Sequence, residues 1–332
     1  MDHPSYNQFT MKAIVVHQAG GAEELHFEET PTPEPGADEV LVKTKSIGVN
    51  FIDVYFREGL YPGTFPLTPG FEAAGEVLEV GSEVTEFGVG DRVAYCSAIG
   101  SYAEQSSVPA SQLIEIPADL DFETAAATLL QGMTAHYLSH STYPLAKGKT
   151  ALVHAAAGGV GLLLVQMAKM CSARVIGTVS SQEKIDLARG AGADEMILYT
   201  NTDFEAEVER LTESQGVDVV YESVGKDTFD QSLNCLKPRG YLVLFGQSSG
   251  PVPPVDPQIL NAKGSLFLTR PTLFHYISTR EALLVRAGQV LKWVASGKLK
   301  IRVGERFALS EAAQAHRALE SRKTTGKVLL IP

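Results

Sequence analysis

The chain has 332 residues, 44% of them hydrophobic and 20% charged, with a formal net charge of −11. That length predicts two domains rather than one core, and the composition is that of a folded globular chain. The acidic balance argues against nucleic acid or an anionic membrane as a partner, though not against a local basic pocket, and no apolar run reaches the roughly 18 residues of a membrane span.

The opening "MDHPSYNQFT", residues 1–10, lacks the basic and apolar regions of a secretory signal. It reads as an extension ahead of the fold, and a cytoplasmic location is expected. From Met11 to about residue 117, short strand-like runs ("AIVVHQ", "EVLVKTKSIGV", "AAGEVLEVG", "DRVAYCSAIG") alternate with Gly and Pro. This spacing predicts a compact, mainly antiparallel β-domain over residues 11–130. Helical composition takes over around residues 121–140, and a βα alternation then runs through "TALVHA", "ARVIGTV", "EMILYT", "VDVVYESV", "GYLVLFG" and "GSLFLTR". Apolar strands between amphipathic helices predict a doubly wound, six-stranded parallel sheet over residues 131–270. The remainder, residues 271–332, is expected to return to the first domain. The three cysteines, Cys96, Cys171 and Cys235, form no C-x-x-C, so neither a disulfide framework nor a zinc knuckle is expected.

The stretch "TALVHAAAGGVG", Thr150 to Gly161, places a glycine cluster after a buried strand and at the start of a helix, the setting of a dinucleotide-binding turn. Ala157, Gly158, Gly159, Val160 and Gly161 are its candidate cofactor contacts. Gly158 would admit the pyrophosphate close to the backbone, Gly161 would allow close helix–sheet packing, and Ala156 is tolerated in the tight turn if its φ stays negative. His154 beside the turn reads as a satisfied core histidine. Roughly 20 residues on, where an acid would hold the ribose 2′-hydroxyl of NAD, the chain has "GTVSSQEK". Gly177, Thr178, Ser180, Ser181 and Lys184 there suit a 2′-phosphate, so NADPH is the expected cofactor.

The run Gly148 to Lys169 resembles the signature of zeta-crystallin-type quinone oxidoreductases, at Gly148, Leu152, Ala156 to Gly159, Gly161, Gln166 and Lys169. Further segments ("GVNFIDVYFREGLYP", "GDRVAY", "YESVGKDTFDQSLNCLKPRG", "FGQSSG", "GSLFLTRPTL") extend the resemblance from Met11 to Pro332. It implies the medium-chain dehydrogenase/reductase architecture, a GroES-like β-rich catalytic domain plus a Rossmann domain. The zinc-dependent members of that superfamily ligate metal with a cysteine, a Gly-His-Glu histidine and a second cysteine. Here Asn50 falls at the first, Phe71 stands in "GFE", and "LLQGMT" has no cysteine; the structural zinc lobe is missing too. No metal is therefore expected.

By the same resemblance Asn50, Asp53, Tyr55 and Tyr61 line the nicotinamide cleft and are the candidate catalytic residues, with tyrosine rings and hydroxyls suited to a planar quinone. Thr134, Tyr199, Phe245, Gly246, Ser248, Ser249 and Arg322 carry over as cofactor contacts, and the edge strand Gly264–Arg270 as the seam of a homodimer. The activity implied is transfer of reducing equivalents from NADPH to small quinones. Reduction of an enone or alkenal double bond is the alternative within enzymes. A non-enzymatic NADPH-binding, crystallin-like or RNA-binding protein is the alternative of another class, which the acidic charge disfavours.

Overall fold

The computed structural model describes residues 9–332, so most of the expected extension lies outside the described residues. Its last two residues do not: Thr10 begins the strand Thr10–Val15 and pairs with Pro31, and the Phe9 carbonyl accepts from Thr32 N–H at 2.9 Å. The fold thus starts before Met11, because the strand His26–Pro31 is long enough to pair these residues too.

The chain divides into two compact units, one of residues up to Leu130 with Val303–Pro332, the other Gln131–Arg302. In the first, a seven-stranded sheet is built around the long strand Glu39–Val49, which pairs antiparallel with Glu72–Val80, Gln105–Pro109 and the C-terminal strand Lys327–Ile331. Alternation along these strands buries Val40, Val42, Ile47 and Val49 with Val77, Val93, Val108 and Leu330 in one core. The short helix Phe51–Arg57 follows the central strand directly, and helix Ala312–Glu320 precedes the last.

The second unit is the expected six-stranded parallel sheet. In space the strands run Glu195–Leu198, Arg174–Val179, Thr150–Val153, Val217–Glu222, Leu236–Leu244, Phe267–Thr269, so the third strand is outermost and the first lies beside the fourth. The order reverses between Thr150–Val153 and Val217–Glu222, the place where such sheets open a crevice at their carboxyl ends. Residues 271–302 stay with this unit rather than returning to the first at 271. Helix Arg280–Ala295 buries Leu283, Ala287, Val290 and Leu291, and Gln166 clamps Lys300 through both its N–H (2.9 Å) and its carbonyl (3.0 Å). Among the described residues no helix is long and apolar enough to cross a membrane.

Candidate active site

The residues expected to do chemistry sit on the first unit at the end of the central strand. Asn50 is 4% exposed, Tyr55 8% and Asp53 fully buried, and Tyr61 is partly exposed. Tyr55 and Tyr61 meet edge to face with ring centroids 5.4 Å apart, so the two rings do form one aromatic corner. Asp53 turns inward instead. Its Oδ2 accepts from the Asn50 backbone N–H at 2.8 Å, a helix-capping contact, and from the Tyr102 hydroxyl at 3.0 Å, while Oδ1 has no hydrogen-bond partner. Burial above all raises its pKa to about 7, against the lowering pull of Asn50, Tyr102 and Lys327 and with a smaller upward push from Glu72.

Behind Asp53 runs a directed chain of buried groups. Arg57 Nη1 lies 3.0 Å from His316 Nδ1, and His316 Nε2 lies 2.9 Å from the Tyr102 hydroxyl. A guanidinium only donates, so Nδ1 must accept; Nε2 then carries the proton and donates to Tyr102, which donates to Asp53. Burial, then the neighbouring Arg57 charge, lowers the His316 pKa to about 3. Arg57 is itself fully buried, bidentate to Glu320 at 2.8 and 3.1 Å and bonded to the Gly20 carbonyl at 3.0 Å. This chain fastens the short helix to the helix Ala312–Glu320. Arg322 follows that helix at φ 59, exposed and on this unit rather than with the other cofactor candidates.

On the second unit the glycine turn joins Thr150–Val153 to helix Gly159–Met170, with Gly158 as N-cap. The left-handed residue is Ala155 (φ 50), one position before Ala156, which does not have a positive φ and is fully buried. The Ala156 methyl fills the space left by Gly177: a Cβ on Gly177 would lie 2.8 Å from Ala156 Cβ. Gly161 is just as constrained, since a Cβ there would lie 2.2 Å from the Ala155 carbonyl oxygen. Gly158 is different. A Cβ on it meets nothing nearer than that same oxygen at 3.1 Å, so internal packing alone makes only a mild demand for glycine.

The sheet's carboxyl edge gathers most of the remaining candidates. Ser180 and Ser181 follow the second strand, and Ser181 caps helix Gln182–Gly190 through a long 3.4 Å bond from Lys184 N–H. Lys184 is half-buried, with its pKa lowered mainly by burial. Tyr199 is exposed just past the third strand, and Phe245, Gly246, Ser248 and Ser249 follow the fifth. Ala157 and Thr134 are buried, while Gly159 and Val160 are partly open. Thr178 faces the core: it is 1% exposed, and its hydroxyl lies 2.9 Å from His154 Nδ1. Ser249 is also engaged internally, donating to the Val224 carbonyl at 2.7 Å.

His154 is a satisfied core histidine, with Ser232 Oγ 2.9 Å from its Nε2. Ser232 donates to Glu222 Oε2, so it accepts from Nε2–H, and the neutral ring that burial favours fits both partners. Burial works against the Glu222 charge, but donors from Ser232, Val224 and Thr228 hold its carboxyl below the ordinary range. Sequence reasoning missed Glu222, which by bonding Val224 and Gly225 N–H shapes the loop after the fourth strand. It also missed Glu72 and Lys327, whose side chains meet Asn50. Lys327 Nζ donates to Asn50 Oδ1 at 2.7 Å and to Glu72 Oε2, and Asn50 Nδ2 donates to Glu72 Oε2 at 3.0 Å. A buried lysine opening the last strand was the available signal, but its partners are set only by the fold.

Residues 36–118 match the family model of the alcohol dehydrogenase GroES-like domain, and residues 159–290 that of the zinc-binding dehydrogenases. The chain is 49% identical over 323 residues to a quinone oxidoreductase of Pseudomonas aeruginosa, aligning 97% of this chain with 99% of that one. It is 42% identical over 328 residues to a 2-haloacrylate reductase of a Burkholderia species, with 96% and 98% aligned. The structure of Escherichia coli quinone oxidoreductase complexed with NADPH superposes with a TM-score of 0.95 at 44% identity, covering 97% of this chain and all of that one. Zinc does not fit this donor set: Phe71 offers no donor atom, and the Asn50 amide is engaged by an ammonium and a carboxylate. Among the described residues no three or more His, Cys, Asp or Glu side chains gather to hold a metal. Relatives this similar over nearly its whole length place the chain in the quinone oxidoreductase family, within the medium-chain dehydrogenase/reductase superfamily.

Proposed function

We propose that the chain reduces small quinones with NADPH and without a metal; the relatives named quinone oxidoreductase support the acceptor, and the donor set at Phe71 and Asn50 supports the absence of a metal. The likeness to an NADPH-bound quinone oxidoreductase carries this reading, and the glycine turn and second-strand end support it. When bound, NADPH supplies hydride. Gly158 and the N-terminus of helix Gly159–Met170 receive its pyrophosphate. Ser180, Ser181 and Lys184 receive the 2′-phosphate, with no carboxylate at the strand end to repel it. Tyr199 and the segment Phe245–Ser249 border the cofactor. The corner of Tyr55 and Tyr61 receives the planar acceptor beside Asn50.

Purified protein is expected to oxidise NADPH on addition of a quinone, with no loss after chelation; a chelator-sensitive rate, or none across a quinone panel, rejects the reading. The 42% identity to 2-haloacrylate reductase favours a second reading, reduction of an activated double bond, so haloacrylates and enones belong in the same screen. Lys184→Ala is expected to weaken NADPH binding about tenfold to a hundredfold, the value of one charge-assisted hydrogen bond, and to leave NADH unchanged. Equal effects on both cofactors would remove Lys184 from the 2′-phosphate site.

The edge strand Phe267–Thr269 ends the sheet, with Phe267 46% exposed and stacked on Tyr241 at 4.5 Å. An apolar edge of this kind suits pairing with a second copy, and a cytoplasmic homodimer is part of the proposal.

A further inference from the structure

Lys327 is 1% exposed, and a buried ammonium persists only where it is paired and hydrogen-bonded. Its partners come from the end of the central strand and from the start of the neighbouring one: Asn50 Oδ1 at 2.7 Å and Glu72 Oε2 at 2.5 Å. An ammonium can only donate, so the Asn50 amide must present its oxygen to Lys327. The amide nitrogen then donates to Glu72 Oε2 at 3.0 Å and to the Gly48 carbonyl at 3.1 Å. A flipped amide would set NH₂ against ammonium, and oxygen against a carboxylate and a carbonyl. Glu72 is held in turn by Leu130 N–H on Oε1 at 2.7 Å. Gly48, two residues before Asn50 and paired with Glu72 across the sheet, is bare: a Cβ on it would lie 2.4 Å from Glu72 Oε2, 2.6 Å from the Ala126 carbonyl oxygen and 2.7 Å from Lys327 Cε. Space beside Asn50 is thus given to closing the pair over it.

We propose that Lys327 is a positioning residue of the reaction: together with Glu72 it locks the Asn50 side-chain amide in one orientation beside the acceptor. This rests on the assignment of Asn50 to the acceptor side of the site. Lys327 and Glu72 neutralise each other, so removing both leaves no unpaired buried charge, whereas removing one does. The test uses the full chain with Lys327→Met/Glu72→Gln, Asn50→Ala and the triple variant. It follows thermal midpoint, NADPH Kd, and kcat and KM for a quinone.

The double variant is expected to keep its fold and its NADPH Kd while losing about tenfold in quinone kcat/KM, the triple falling no lower than Asn50→Ala, because contacting residues acting as a unit are not additive. Lys327→Arg, which keeps the charge but moves its donors, is expected to lose about threefold in kcat at unchanged NADPH Kd, and it tests the proposal even if the double variant does not fold. A double variant with wild-type kcat/KM, losses that multiply in the triple, or an unaffected Lys327→Arg overturns the proposal. If the wild-type protein turns over neither quinones nor enones, the functional reading falls separately. The orientation lock is still tested then by the Asn50 side-chain amide protons, whose protection from exchange is expected in the wild type and lost in the double variant; equal exchange in both overturns it.

Discussion

Asp53→Asn is expected to make the protein more stable than wild type at pH 8, and no more stable at pH 4. Asp53 is fully buried, and its pKa of about 7 lies well above the ordinary 3.8. Between about pH 4 and 7 the folded chain therefore binds this proton more tightly than the unfolded chain, so stability is greatest below that window and is lost as pH rises through it. Each pH unit of the window carries about 1.4 kcal/mol, so the whole of it carries up to about 4 kcal/mol. Asparagine copies the protonated acid: its oxygen accepts from Asn50 N–H and Tyr102 O–H, and its NH₂ stands where Oδ1 has no partner.

His316, two hydrogen bonds away, works in the opposite direction. With its pKa lowered from 6.5 to about 3, its protonation favours the unfolded chain, and stability is lost as pH falls through that range. The contributions of the two groups to the pH dependence of stability offset each other in the wild type. His316→Gln is expected to remove this residue's share of the acid-side loss and leave the Asp53 loss more exposed as pH rises. Urea unfolding of the three proteins at pH 4, 6 and 8 measures both slopes. An Asp53→Asn variant weaker than wild type at pH 8 would mean the carboxylate is stabilising as an ion, and the burial argument would be wrong.

How far the sequence could be read follows from the range of the contacts involved. The parallel sheet was legible because apolar strands and amphipathic helices alternate locally, and the glycine turn because strand, glycines and helix are contiguous. Asp53 was not legible in depth. An Asp three residues after an Asn reads equally as a cap or a catalyst, and what decides is Tyr102, 49 positions on, and His316, another 214 beyond. Lys327 lies 277 residues from the Asn50 it bonds, and no spacing rule reaches that far. Thr178 misled for a related reason. A strand-end hydroxyl next to the expected phosphate site looks like a ligand, but pleating turns it to the core face, where His154 takes it. The extended helical stretch to Ala295 read as a return to the first unit because amphipathicity shows only that a helix packs, not which core receives it.

The two glycines of the turn are expected to part company under the same substitution. Gly161→Ala sets a methyl 2.2 Å from the Ala155 oxygen and 2.9 Å from Ala156 backbone atoms, so backbone rather than a flexible side chain must yield. A loss of about 3 kcal/mol in unfolding free energy is expected, the upper range for overpacking. Gly158→Ala adds its methyl at φ −75, where any residue is allowed, and meets only one oxygen at 3.1 Å. Its stability without cofactor should stay within about 1 kcal/mol of wild type. On the proposed reading NADPH affinity should nevertheless fall about a hundredfold, because the methyl would stand where the pyrophosphate is proposed to approach the helix N-terminus. Thermal unfolding without cofactor and titration with NADPH separate the two effects. If Gly158→Ala binds NADPH as the wild type does, the turn does not cradle the cofactor. If Gly161→Ala is fully stable, the turn is softer than its contacts require. Observed together, the expected results would divide the motif by physical cause: one glycine answering to the sheet beneath it, the other to an anion that only the functional state brings.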